Sequence, residues 1–177
     1  MTRLNSTFEN ALIAWVYGSV TGLTAAVWDK QDDAPRPALP YATLNLLPPI
    51  KENGAQTETI RTSTKDTFTA IHRYKMNVSV NIISNGDYFL KMQKLEQSLD
   101  KAAVLSALKT AGLYFRGMSG AIDLTALLDT SYEFRVQQDF EFAFTADTIE
   151  KITEIETVKA TFDCGNNIEI NIDQSIT

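Results

Sequence analysis

Two stretches of this sequence alternate apolar and polar residues at period two, and they constrain the fold more than any other feature. In residues 67–84, Tyr74, Met76, Val78, Val80 and Ile82 share one face, while Lys75, Asn77, Ser79 and Asn81 share the other. In residues 131–146, Tyr132, Phe134, Val136, Phe140, Phe142 and Phe144 alternate with Glu133, Arg135, Gln137, Asp139 and Glu141. Only Gln138 breaks the apolar face. Strands of parallel sheets are buried on both sides and read as continuous apolar runs, so this pattern predicts a mostly antiparallel sheet with one covered face. At about 3.3 Å per residue, fourteen residues of the second strand reach roughly 45 Å, longer than a small domain's core is wide. Such a strand bends or projects toward a neighbour.

Helical spacing marks two other regions. Ser6-Thr7-Phe8-Glu9 fits a capping box, and Phe8, Leu12, Trp15 and Val16 follow at helical intervals with Ile13 beside them, predicting a helix over 6–20. After Asn85-Gly86-Asp87, which offers a cap, Tyr88, Met92, Leu95 and Leu99 form a second stripe. Its phase slips near Asp100, so 87–111 reads as a helical pair whose second member runs from about Lys101 to Ala111 and stops at Gly112. Shorter strands are expected at Leu23–Trp28, Leu113–Met118, Ile149–Phe162 and Ile168–Ile172, with one helical turn at Asp123–Leu128.

All five prolines lie between positions 35 and 49 and bracket a strand at Tyr41–Leu47. Residues 51–66 are polar, with a turn signal at Asn53-Gly54, and predict a long loop or a solvent-exposed hairpin arm. Asn53, Gly54, Thr59, Arg61 and Lys65 are the candidates there for contact with another subunit, because extended strands and arms suit a chain that continues its sheet onto a neighbour. The predicted fold class is α+β: a mostly antiparallel β-sheet with an N-terminal helix and an inserted helical pair packed on it. One domain over residues 1–177, carrying the arm, is expected.

Charge is unevenly placed. The chain has 16 Lys and Arg against 22 Asp and Glu, and residues 137–177 hold nine of the acids but only Lys151 and Lys159. Clustered bases, the footprint of nucleic-acid binding, are absent. The acids are either a solvated face or a lining, and Glu133, Arg135, Asp139, Glu141, Glu154 and Glu156 are the candidate polar strand face. No apolar run approaches the ~20 residues of a membrane span, and the N-terminus does not read as a signal peptide.

Signatures of catalysis are missing. No phosphate-cradling glycine loop, zinc-protease helix or nucleophile elbow occurs. His72 lies within a strand without a recognisable partner, and Cys164, the single cysteine, sits among acidic and neutral residues that would not activate a thiolate. No metal, cofactor or enzymatic activity is expected.

The segment Pro40-Tyr41-Ala42-Thr43-Leu44-Asn45-Leu46-Leu47, followed by a polar stretch and a long alternating strand, resembles the opening of phage tail terminator or neck terminator proteins. Ile122-Asp123-Leu124-Thr125-Ala126-Leu127-Leu128-Asp129-Thr130-Ser131-Tyr132-Glu133-Phe134-Arg135-Val136-Gln137-Gln138-Asp139-Phe140 resembles that family's most distinctive segment. Ile149-Glu150 and Ile155-Glu156-Thr157-Val158 resemble its closing strand, so the likeness covers residues 35–160. The resemblance implies a structural protein of the virion, assembled in the bacterial cytoplasm. It implies a homo-oligomeric ring, typically a hexamer, that caps the tail tube protein and meets the head–tail connector or head-completion protein, with the sheath as a further partner. DNA would pass through without specific binding. Another neck component, such as a head-closure or tube subunit, and a small-molecule-binding domain are the competing readings.

Overall fold

The computed structural model describes residues 6–29, 35–52, 58–61, 67–128 and 131–151. The chain divides into two compact units, residues 1–56 with 72–146, and residues 57–71 with 147–177. In chain order the elements are α1 (Ser6–Ser19), β1 (Ala25–Trp28), β2 (Tyr41–Leu46), β3 (Ile50–Lys51), β4 (Glu58–Arg61) and β5 (Thr67–Ser84). They continue with α2 (Tyr88–Ser98), α3 (Ala102–Thr110), β6 (Tyr114–Met118), β7 (Ile122–Asp123), β8 (Ala126–Leu128) and β9 (Ser131–Lys151). The fold is α+β, as the periodicities predict.

In the first unit the strands lie in the order β1-β2-β5-β9-β6. β1 pairs parallel to β2, whereas β2 with β5 and β6 with β9 are antiparallel. The register sets Ala42, Leu44 and Leu46 opposite Ile82, Val80 and Val78, so one face of the sheet is a continuous apolar floor. Val136, Phe140 and Phe142 of β9 complete it, all fully buried. The helices roof this floor with Leu12, Trp15, Val16, Met92, Leu95 and Leu108. Trp15 meets Phe140 and Phe142 edge-on at 5.1 and 5.7 Å, and its indole N–H donates to Ser98 Oγ at 2.9 Å. That bond ties α1 to α2 and satisfies the one polar atom of a large buried ring.

The break between α2 and α3 falls where the stripe slips. Leu99, Asp100 and Lys101 donate to carbonyls three residues back, which tightens the exit of α2. α3 ends in a Schellman motif: Gly112 N–H bonds Lys109 O, Leu113 N–H bonds Leu108 O, and Gly112 takes φ of +85°. Asp87 occupies the N-cap position of α2 but does not cap it; its carboxylate accepts from the Ser84 hydroxyl and the Lys91 ammonium instead.

In the second unit β4 pairs antiparallel with the start of β5, Thr59 opposite Ala70 and Arg61 opposite Phe68. Within the expected loop or hairpin arm at 51–66, residues 58–61 form β4, while 53–57 and 62–66 lie outside the described residues. Two expectations fail. Asp123–Leu128 is not a helical turn, because Asp123 Oδ1 accepts the Thr125 N–H in a tight local turn and β7 and β8 pair with β9 on either side of it. Residues 149–151 do not open a new strand, since neither Gly nor Pro interrupts the chain after Ala146 and β9 continues to Lys151. The strand expected at 168–172 and the remainder of 149–162 lie outside the described residues.

Candidate functional site: the polar sheet face

The face of the sheet opposite the helices is built from the alternate residues of β2, β5 and β9. Thr43 and Asn45 stand opposite Asn81 and Ser79, and the odd-numbered residues of β9 from Glu133 to Glu141 share this side. Two of the predicted residues are drawn into a cluster there. Arg135 donates from Nε and Nη2 to Asn81 Oδ1 at 3.1 and 3.0 Å, spanning two strands with one side chain. Asn81 and Ser79 are both buried although they belong to the polar face. Glu133 pairs with the Arg36 guanidinium, whose Nε donates to the Tyr41 hydroxyl at 2.7 Å and whose carbon lies 5.5 Å from the Tyr41 ring centre. The Glu133 carboxylate, and secondarily Tyr41, hold the Arg36 pKa above its usual value despite partial desolvation.

Asp139 and Glu141 sit toward β6 and form no ion pair among the described residues. Asp139 is anchored through its backbone, which exchanges bonds with Ser119, and one of its carboxylate oxygens is buried without a partner. Glu52 adds a further acid to the structure, 3.4 Å from Lys75 and 4.0 Å from Arg116. The predicted face is therefore split into a neutralised end at Glu133 and Arg135 and an uncompensated end at Asp139 and Glu141. Glu154 and Glu156 lie outside the described residues, as do Asn53, Gly54 and Lys65 of the arm. Thr59 and Arg61 fall in β4, away from this cluster in the chain and in the other unit.

Arg36, Tyr41 and Asn81 were not among the candidates. Arg36 and Glu133 are 97 residues apart, and nothing in local spacing links them. Asn81 was legible only as a polar-face position. The core-facing Gln138 is more instructive: it is fully buried, donating from Nε2 to Glu96 Oε1 at 2.5 Å and to Ser119 O at 2.8 Å, while its Oε1 has no partner. His72 lies in β5 with a buried Nδ1 lacking a hydrogen bond, and no set of three His, Cys, Asp or Glu side chains among the described residues is placed to hold a metal. Cys164 is outside the described residues.

The polar side of the sheet is thus tied across strands at its Arg36, Glu133, Arg135 and Asn81 end. The family model described as phage neck terminator protein matches residues 6–167, and the chain belongs to that family. It is a structural protein of the bacteriophage neck, a component of the virion that associates with other neck and tail parts. No curated protein matches the chain. No helix among the described residues is long and apolar enough to cross a membrane.

Proposed function

We propose that this chain terminates the phage tail as a homo-oligomeric ring of six copies, capping the tail tube and presenting a surface to the head connector. The family match across residues 6–167 carries this reading. The one-faced sheet supports it, because a ring around a channel needs one apolar side for its own core and one polar side for the lumen or its neighbours. Shape and self-association are its chemistry, and no catalytic step is assigned. The arm around residues 51–66, with Asn53, Gly54, Thr59, Arg61 and Lys65, is the proposed subunit contact. The polar face of β9, with Asp139 and Glu141 uncompensated, is the proposed lumen lining, joined by Glu154 and Glu156. Isolated tail tubes incubated with the purified chain test the assignment. Decoration of the head-proximal end alone, seen by negative-stain microscopy, is expected; incorporation along the tube would make it a tube subunit instead.

A further inference from the structure

Resting on the ring reading above, we propose that each copy inserts the exposed segment Leu47-Pro48-Pro49-Ile50 into the groove between α2 and the β6–β7 connection of the next copy. The segment is exposed at all four residues, and Ile50, at 69%, is the most exposed large apolar side chain among the described residues. Leaving such a side chain in water forgoes its burial energy, about 25 cal/mol per Å². Two successive prolines fix φ near −65° and hold the preceding residues extended, so the segment loses little conformational entropy on docking. Extended proline-rich segments seat in grooves with aromatic walls.

Such a groove is present on the same chain. It is lined by Phe89, Leu90, Met92, Gln93, Glu96 and Ala121. Phe89 and Leu90 stand half out of the surface although they occupy the first turn of a helix whose other face is core. A row of rings leads into it: Tyr132 stacks on Phe134 at 6.3 Å, Phe134 on Tyr88 at 5.7 Å, and Tyr88 meets Phe89 at a tilt of 42° and 4.9 Å. The polar side chains of the groove are Gln93 and Glu96. Glu96 brings a carboxylate with one oxygen uncommitted, and behind it the buried Gln138 Oε1 is unpartnered. The exposed Lys51, next after Ile50, supplies the complementary cation. Segment and groove are different surfaces of one chain, so their union is head-to-tail, the kind of contact that closes into a ring.

Disulfide trapping tests this in full-length chain with Cys164→Ser. Oxidising the double variant Ile50→Cys, Leu90→Cys is expected to give a ladder of covalent multimers ending at the ring size, while mixing the two single variants gives dimers only. Lys51→Glu is expected to raise the protomer concentration needed for assembly at least tenfold, and adding Glu96→Lys to restore it. Rings of native mass with no cross-link, or a charge swap that rescues nothing, would overturn the contact and leave the ring standing. Protein that remains monomeric on tube ends in every variant, the unmodified chain included, would overturn the ring reading and this contact with it.

Discussion

At the scale of single residues, backbone geometry and local charge set measurable costs. Gly112 holds φ of +85° at the end of α3, and a Cβ there would meet the Phe8 ring at 3.2 Å. Gly112→Ala is therefore expected to lose about 1–2 kcal/mol of stability, read by denaturant unfolding, from left-handed strain and crowding together. Asp87 behaves differently. The Lys91 ammonium, then the Ser84 hydroxyl, hold its carboxyl below the usual carboxylate range. A carboxyl depressed in the folded state contributes fully above its unfolded pKa, about 3.9, and its contribution drains away as pH falls through the lower folded value. Asp87→Asn should flatten that part of the acid limb of a stability–pH profile. At neutral pH it should cost about 1 kcal/mol, since the carboxylate is half exposed while Lys91 is mostly buried. An acid limb unchanged by the substitution would show that the pair contributes nothing.

At the scale of elements, the legible parts were those whose burial repeats at a fixed period. The helix over 6–20, the pair at 87–111 and its Gly112 stop, and both long strands could be read because each buries one stripe or one face. The helical turn expected at 123–128 could not, because Ala126-Leu127-Leu128 favours helix by composition and the winning interaction, pairing with Tyr132 and Glu133, lies between strands and not within the segment. The cluster of Arg36, Tyr41 and Glu133 was hidden for the same reason. The arm is the element with the plainest functional test. Its sequence between Asn53 and Thr64 has one large apolar residue, Ile60, and so brings little apolar surface to the pairing of β4 with β5. Deleting residues 53–64 is expected to yield a folded monomer by sedimentation and circular dichroism. A deletion variant that still closes into rings would remove the arm from the interface.

At the scale of the whole molecule, charge separates what must stay together from what must slide past. The chain carries a net of −6, with the excess acid in residues 137–177. If the uncompensated end of β9 lines the channel, its acids repel the DNA backbone and keep passage free, an effect salt screens over about 8 Å at physiological ionic strength. Reversing Asp139 and Glu141 to Lys should slow DNA ejection at low salt and recover toward the normal rate at high salt. Ejection rates insensitive to both changes would place these acids on an outer wall.

The buried Gln138 has a consequence for how the sheet finds its alignment. A chain alternating Phe140, Phe142 and Phe144 looks almost the same to its neighbours after a slide of two positions, so hydrophobic fit alone is a degenerate address. An amide that must land against Glu96 and the Ser119 carbonyl makes one address unique. Gln138→Leu should keep or raise the melting temperature while doubling amide resonances in β9, as slipped pairings become populated. A single sharp set of resonances would mean that the turns alone choose the register.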